Sequence, residues 1–219
     1  MNLAADTALF YSQRRRMVEE QLRARGILDE RVLQAMACVP RHEFTPESYR
    51  GQAYGDHPLP IGEAQTISQP YIVALMLEAL AIQPDDRVLE VGTGSGYVTA
   101  LLVEMGARVT SIERHVALAD AARARLVRLG YVSAKVLAGD GSQGFSDDAP
   151  YDAILVSAGA RKVPQALLRQ LAEGGRMVIP VGPNDTQQLQ LIRMANGKPQ
   201  TTSRELCRFV PLVGDGEAE

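Results

Sequence analysis

The segment VLEVGTGSGYVTALL, from Val88 to Leu102, decides how this chain folds. Its first residues are apolar and β-prone, its middle is rich in glycine, and its end has the apolar spacing of a helix. Glycine in this position lets the backbone turn tightly and lets a ligand approach the main chain, as in nucleotide-binding βαβ units. We therefore predict a strand over Arg87–Val91 and a helix over Tyr97–Met105. The ligand-binding turn between them is predicted to consist of Gly92, Gly94 and Gly96.

The alternation of short apolar strands and helices continues towards the carboxyl terminus. Further strands are predicted over Arg108–Glu113, Ala134–Ala138, Tyr151–Ser157 and Arg176–Val181, and further helices over Val116–Leu129 and Pro164–Leu171. This pattern specifies a parallel sheet, because each right-handed crossover lays a helix on the sheet. The segments QLQLIRM and CRFVPLV, on either side of Asn196-Gly197, predict late strands that pair antiparallel. The predicted fold class is α/β, with a doubly wound, mostly parallel, Rossmann-like sheet and an antiparallel edge strand.

The residues before this sheet predict an N-terminal helical extension. Apolar residues recur at helical spacing from Gln13 to Ala37 with a break at Gly26, which predicts two helices with a capping glycine between them. A long and mostly irregular connection is predicted from Pro40 to Gly62, because this segment is rich in Pro, Gly, His and Asp. A helix over Tyr71–Leu80 follows it.

The composition is that of a globular protein with little net charge. The chain has 219 residues, of which 46% are hydrophobic and 22% charged, and its net charge is −3. This weak charge argues against a dedicated nucleic-acid or membrane-surface binder. The one basic run, Arg14 to Arg16, is followed at helical spacing by Glu19 and Glu20, which is typical of a solvated helix start.

The cysteines and the amino terminus bear on where the protein works. Cys38 and Cys207 have no partner at motif spacing, so neither a disulfide framework nor a zinc site is indicated, and both are interpreted as small buried hydrophobes. The histidines likewise lack metal-ligand spacing, and no metal is predicted. The amino terminus lacks the order of a signal peptide, and no segment approaches the length of a membrane span. The expected location is the cytoplasm.

Acidic residues at the ends of three successive strands narrow the choice of ligand. Glu113 lies about 20 residues beyond the glycine turn, where a carboxylate accepts hydrogen bonds from ribose hydroxyls. Glu90 precedes the turn and would repel a pyrophosphate, but it suits the ammonium and sulfonium of S-adenosylmethionine. Asp140 can accept a hydrogen bond from an adenine amino group. The residues predicted to bind this cofactor are Glu90, Gly92, Thr93, Gly94, Ser95, Gly96, Glu113, Arg114, Asp140 and Gly141.

The stretch IGEAQTISQP, from Ile61 to Pro70, gathers small hydrogen-bonding side chains ahead of an apolar run. One interpretation is helix capping, with Ser68 as the N-cap and Pro70 in the first turn. The other is that Thr66 and Ser68 present hydroxyls to a polar ligand above the start of the helix, where the dipole favours an anion. The two interpretations are compatible, since a cap faces the same helix end.

At this point the chain resembles the protein-L-isoaspartate O-methyltransferases. The blocks LPIGEAQTISQPY, VLEVGTGSGY, GDGSQGF, APYDAILVSA, LAEGGRMVIPVG and RFVPL occur in that family's order. MVEEQLRARGI and VPRHEF resemble its opening helices, so the likeness covers nearly the whole chain. The glycine turn alone would indicate only a general S-adenosylmethionine-dependent methyltransferase, whereas the combination of QTISQP and FVPL is specific to the family that the chain resembles.

The resemblance implies that the chain methylates the free carboxylate of L-isoaspartyl residues, and more weakly of D-aspartyl residues, in ageing proteins and peptides. S-adenosyl-L-methionine would be the methyl donor and S-adenosyl-L-homocysteine the product. By resemblance Ser68 is the active-site serine, Thr66 and Ile67 contact the acceptor with it, and Val210 and Pro211 line the other side of the groove. Residues 1–82 would carry the N-terminal helices and this acceptor segment, and residues 83–219 the methyltransferase core, within one structural domain. A monomer is expected.

Three alternatives stay open. Where many members of the family carry a proline-containing loop, this chain has AGARKVP, with Arg161 and Lys162 on the rim, so a related enzyme acting on another carboxylate is the nearest alternative. A nicotinamide-dependent oxidoreductase would share the strand–turn–helix pattern. A non-catalytic S-adenosylmethionine-binding protein would share the fold.

Overall fold

A computed structural model describes residues 8–215, and a seven-stranded sheet forms their centre. The strands are β1 Leu59–Gly62, β2 Gln65–Ile67, β3 Arg87–Val91, β4 Arg108–Glu113, β5 Lys135–Ala138, β6 Tyr151–Val156, β7 Leu171–Val181, β8 Gln187–Ala195 and β9 Lys198–Cys207. The order in the sheet is β5-β4-β3-β6-β7-β8-β9. Strands β3 to β7 are parallel, whereas β8 is antiparallel to both β7 and β9. The predicted fold is confirmed, and the reversed strand is β8, one place in from the edge.

Helices cover both faces of this sheet. They are α1 Ala8–Arg16, α2 Glu30–Cys38, α3 Pro70–Leu80, α4 Tyr97–Glu104, α5 Val116–Arg128 and α6 Gln165–Gln170. Successive strand residues point to opposite faces, so Val88 belongs to the apolar cluster on one face and Leu89 to the cluster on the other. This alternation in strands without a polar face is what a sheet buried on both sides requires. Within the described residues, no helix has the length and apolar character needed to cross a bilayer.

The N-terminal extension follows the prediction with two corrections. α1 continues through a π-helical segment, Met17–Leu22, and a short 3-10 turn, and it ends at Gly26, whose φ of 93° is the left-handed conformation of a capping glycine. Arg14, however, is not solvated: it is 3% exposed, and its Nε donates to the carbonyl of Ala37 at 2.6 Å. Cys38 is exposed, so its interpretation as a buried hydrophobe was wrong.

The connection from Pro40 to Gly62 is more regular than predicted. It contains 3-10 turns at Arg41–Phe44 and Glu47–Gln52 and ends in β1, which pairs antiparallel with β2. The turn residues Glu63 and Ala64 have φ values of 50° and 53°. Two successive left-handed residues are typical of the type I′ turn of a tight hairpin, although neither residue is the glycine or asparagine that usually signals one. That composition is why the hairpin was not visible in the sequence.

The start of α3 is capped differently from the prediction. The N-cap residue is Gln69 rather than Ser68, and its side chain makes no capping hydrogen bond. The group that caps the helix is instead the carboxylate of Asp56. It accepts hydrogen bonds from the backbone N–H of Tyr71 at 3.0 Å and from the side-chain amide of Gln69 at 2.7 Å. Asp56 also pairs with Arg25. An acidic residue 15 positions away in the sequence therefore fixes this helix start and frees Ser68 from the cap.

Replacing Asp56 with alanine is expected to lower the free energy of unfolding by about 1–2 kcal/mol, the usual cost of losing a helix-capping carboxylate. Chemical denaturation of the two proteins measures the difference. Asp185→Ala is the matched control, because Asp185 is an exposed loop residue. Equal midpoints for wild type and Asp56→Ala would show that α3 does not depend on this carboxylate.

Candidate active site

A cavity of about 410 Å³ lies at the carboxyl ends of β3, β4, β5 and β6. The strand order reverses here, since the chain leaves β3 for β4 on one side and later returns to β6 on the other. Such a switch point is where open α/β sheets bind ligands. Residues of the β1–β2 hairpin and of the segment Val210–Val213 complete the wall.

The glycine turn between β3 and α4 has the conformation that the sequence requires of it. Gly92, Gly94 and Gly96 have φ values of 94°, 53° and 86°, a region that other L-residues rarely adopt. A Cβ on Gly94 would lie 3.3 Å from Cδ1 of Ile61 in β1. The turn therefore needs glycine for its backbone angles, and the missing Cβ of Gly94 also leaves room for the hairpin.

Glu113, at the end of β4, faces the cavity in a fixed orientation. It is 5% exposed, and its two oxygens accept hydrogen bonds from the backbone N–H groups of Gly94 at 2.8 Å and His115 at 2.9 Å. Each carboxylate oxygen has a further lone pair for a ligand hydroxyl. The next two residues, Arg114 and His115, also line the cavity. This geometry is suited to holding a ribose.

Glu90 lies behind the glycine turn and does not line the cavity. It is fully buried, and its Oε2 accepts hydrogen bonds from Thr99 at 2.5 Å and Ser111 at 2.7 Å, while Oε1 has no partner among the described residues. Burial raises the pKa of this carboxyl to about 7; the two hydroxyl donors oppose that change, and the neighbouring charge of Glu113 adds to it. Glu90 is therefore a buried acid behind the cavity wall, and its predicted interaction with a ligand ammonium stays a prediction.

Asp140, at the end of the loop after β5, accepts hydrogen bonds on both of its carboxylate oxygens. The Oδ1 atom accepts hydrogen bonds from the backbone N–H of Ser142 at 2.9 Å and from the hydroxyl of Ser142 at 2.7 Å. The Oδ2 atom accepts a hydrogen bond from the backbone N–H of Asp215 at 2.8 Å. Burial opposes ionisation of this carboxyl, but these hydrogen bonds outweigh burial and lower its pKa. Asp140 thus ties the C-terminal segment to the end of β5, and the adjoining Gly141 lines the cavity; the predicted hydrogen bond between Asp140 and an adenine stays a prediction.

A second, open groove of about 680 Å³ adjoins the cavity. Its walls include Gln69 and Ile72 of the α3 region and the segment Leu206–Pro211. The cavity and the groove share five residues: Thr66, Ser68, Ser157, Val210 and Pro211. These five shared residues form the boundary between the cavity and the groove, and we call them the junction.

The segment containing Val210 is held in place by two buried contacts. Gly159 pairs with it, donating its N–H to the carbonyl of Val210 and accepting from the N–H of Leu212, both at 2.8 Å. The side chain of Gln187, 1% exposed, accepts from the N–H of Phe209 at 2.8 Å. The AGARKVP loop therefore positions this wall through its glycine, while Arg161 and Lys162 are exposed.

Comparison with known proteins identifies the chain. The family model of protein-L-isoaspartate (D-aspartate) O-methyltransferase matches residues 12–217. The chain belongs to this family. Membership confirms the resemblance that the sequence blocks indicated and removes the nicotinamide-dependent oxidoreductase alternative.

Relatives in the protein-L-isoaspartate O-methyltransferase family are similar over their whole length. The enzyme of Koribacter versatilis (strain Ellin345) is 55% identical over 215 residues, covering 98% of this chain and 97% of the relative. That of Methanoculleus marisnigri is 54% identical over 202 residues, covering 92% of each. A Plasmodium falciparum protein described as a member, solved in complex with S-adenosyl-L-homocysteine, superposes with a TM-score of 0.81 at 29% identity, covering 91% of this chain and 98% of that one.

Most residues predicted for the isoaspartate methyltransferase site lie together around the cavity. Those that line it are Thr66, Ile67, Ser68, Gly92, Thr93, Gly94, Ser95, Glu113, Arg114, Gly141, Val210 and Pro211. The predicted residues that do not line it are Glu90, Gly96 and Asp140. Glu90 lies behind the glycine turn, Gly96 is the N-cap of α4 and Asp140 holds the C-terminal segment, so their part in ligand binding stays a prediction.

The sequence prediction missed Ser157 as a wall residue. Ser157 follows β6 and belongs to the junction of the cavity and the groove. Its position at the carboxyl end of a predicted strand next to the switch point was the available signal. His115, which follows the predicted cofactor-binding residue Arg114, also lies on the cavity wall.

Proposed function

We propose that this chain transfers a methyl group from S-adenosyl-L-methionine to the free α-carboxylate of L-isoaspartyl residues, and more weakly of D-aspartyl residues, in damaged proteins. The observation that carries the proposal is the junction at Ser68, where a cavity suited to the cofactor meets an open groove suited to a peptide. The resulting ester would collapse to a succinimide, which partly reopens as normal aspartate. Family membership supports the acceptor chemistry.

The cavity residues fit S-adenosyl-L-methionine. Glu113 is oriented for ribose hydroxyls. The volume of the cavity, about 410 Å³, lies in the range of small-molecule sites. Glu90 places a buried carboxyl behind the glycine turn, and its Oε1 has no hydrogen-bond partner within residues 8–215. A negative charge at this position favours a cationic ligand. When bound, the cofactor supplies a methyl group on a positively charged sulfur. Asp140 would support the adenine end indirectly, by holding the segment that contains Leu212 and Val213.

The protein's own residues contribute orientation and exclusion of water. A carboxylate acceptor with a reference pKa near 4 is already ionised at neutral pH, so no general base is required. Ser68 makes no side-chain hydrogen bond within residues 8–215, which leaves its hydroxyl available to aim the acceptor oxygen. Thr66, Ile67, Val210 and Pro211 would hold the peptide on either side of it, as positioning of reacting groups requires.

The test is methyl transfer from labelled S-adenosyl-L-methionine to two peptides that differ only in L-isoaspartate against L-aspartate. Transfer confined to the isoaspartyl peptide is expected. Ser68→Ala is expected to lower kcat/KM by about tenfold or more, since a hydrogen bond to a charged group contributes about 1.5–3 kcal/mol. Ser133→Ala, at an exposed position, is the matched control. Transfer to neither peptide would contradict the proposal and favour a relative that acts on another carboxylate.

The division of labour along the chain is part of the same proposal. Residues 1–82 would carry the acceptor segment and residues 83–219 the cofactor-binding core, as one structural domain. In support, a single apolar cluster contains residues of both parts, among them Met36, Leu77 and Val88. Free thiols at Cys38 and Cys207 are compatible with a reducing cytoplasm. Location there and a monomeric state stay predictions, which fractionation and sedimentation velocity would check.

A further inference from the structure

Arg41, from the VPRHEF block, lies completely buried behind Ser68. Its side chain is 0% exposed. Nη2 donates to the backbone carbonyl of Ser68 at 2.8 Å, and Nε donates to the carbonyl of Ala53 at 2.8 Å. Nη1 has no hydrogen-bond partner in the part of the chain that the structure describes. The guanidinium thus fixes the backbone of the serine and does not itself line the groove.

This buried charge has no carboxylate paired with it in residues 8–215. Asp56, the acid whose charge acts on it, is already engaged with Arg25, Gln69 and Tyr71. Burial lowers the pKa of Arg41 to about 10, so the side chain is still cationic at neutral pH. An unpaired buried cation is costly, and a neutral donor would link two carbonyls at lower cost. The charge itself therefore calls for an explanation.

The position of Arg41 next to Tyr97 and Ser68 explains why a charged residue is buried here. Its guanidinium carbon lies 5.0 Å from the centre of the Tyr97 ring, and Tyr97 lines the cofactor cavity. Ser68, whose backbone carbonyl accepts a hydrogen bond from Arg41, lines both the cavity and the groove. The cation therefore stands behind the junction to which the acceptor must bring a carboxylate. In a buried setting its attraction for that carboxylate is weakly screened.

We propose that Arg41 is a positioning residue for carboxyl methylation: it holds the Ser68 backbone, and its charge favours an ionised acceptor carboxylate in front of that serine. The inference rests on the proposed function, because the carboxylate that Arg41 attracts is that of the proposed acceptor. Arg41 does not touch the acceptor, so it acts through the Ser68 backbone and through its electric field. It joins the N-terminal extension to the chemistry of the core.

The first experiment separates this role from a structural one by comparing arginines at the two ends of α3. Arg176 makes the same kind of contacts at the far end, donating to the carbonyls of Leu80 at 2.7 Å and Ala81 at 3.0 Å. Arg41→Lys is expected to lower kcat/KM for the isoaspartyl peptide about tenfold, and Arg41→Met about a hundredfold. Both should bind S-adenosyl-L-homocysteine within about threefold of wild type. Arg176→Lys is expected to lower the thermal midpoint and leave kcat/KM within about twofold.

The second experiment reads out the charge. Binding of the isoaspartyl peptide and of its isoasparaginyl analogue, in which a neutral carboxamide replaces the carboxylate, is measured by calorimetry with S-adenosyl-L-homocysteine present. Wild type is expected to prefer the carboxylate, Arg41→Lys to keep part of this preference, and Arg41→Met to lose it. If the variants had only lost packing, the binding of both peptides would weaken equally.

The outcomes distinguish the inference from the function on which it rests. If wild type methylates the isoaspartyl peptide while both Arg41 variants keep its kcat/KM and its carboxylate preference, the inference is overturned and the function stands. If wild type methylates neither peptide, both are overturned. Should Arg41→Met fail to fold, Arg41→Gln takes its place in both experiments, because glutamine removes the charge but can still donate a hydrogen bond to a backbone carbonyl.

Discussion

Replacing Glu113 with alanine is expected to weaken binding of S-adenosyl-L-homocysteine by about a hundredfold or more. The carboxylate is held by Gly94 and His115 in one orientation on the cavity wall, so a ribose would meet a pre-organised acceptor. Each hydrogen bond to a charged group contributes about 1.5–3 kcal/mol, and a ribose offers two hydroxyls, while a tenfold change corresponds to about 1.4 kcal/mol. Calorimetry with the ligand measures the loss directly.

Glu173 provides the matched control for this prediction. Its carboxylate also clamps two backbone N–H groups, those of Asn196 at 2.6 Å and Gly197 at 3.0 Å, but at the turn between β8 and β9. Glu173→Ala therefore removes the same kind of contact without touching the cavity, and ligand affinity should stay unchanged. An affinity of Glu113→Ala within about threefold of wild type would mean that the ribose is held elsewhere.

The ligand-free protein is expected to lose about 3 kcal/mol of stability as the pH rises from 4.5 to 7, through the ionisation of Glu90. Burial raises the pKa of this carboxyl to about 7 in the folded chain, against an ordinary value of 4.5. Between these two values the folded state binds more protons than the unfolded state, so stability falls with pH. The penalty is absent below the unfolded pKa and complete above the folded one.

Urea denaturation at several pH values checks this slope in wild type and in Glu90→Gln. The glutamine cannot ionise, so its contribution to the slope disappears even if its absolute stability changes. Glu205→Gln, at an exposed position on β9, is the control and should keep the wild-type slope. If Glu90→Gln kept that slope as well, the buried carboxyl would not be the group that titrates.

Local pattern was enough to predict the core of the fold. β3 and β4 have the predicted bounds, because an apolar run bounded by turn residues is a property of neighbouring positions. The glycine turn was predictable for the same reason, since glycine is the residue that adopts a left-handed backbone without steric cost. Glu113 could be placed on the cavity because parallel strands end at a common edge of the sheet. The family was readable from the order of its blocks.

The sequence by itself therefore determined the sheet, the cofactor turn and the residues at the strand ends, which all depend on neighbouring positions. Tertiary structure decided which partners the polar side chains found. Asp56 caps α3 in place of Ser68, Asp140 holds Asp215 across 75 residues, and the buried Arg41 donates a hydrogen bond to the backbone of Ser68. Periodicity shows which face of an element is buried, but not which distant chain segment covers it. These contacts form only when the chain crosses itself, so no local pattern specifies them.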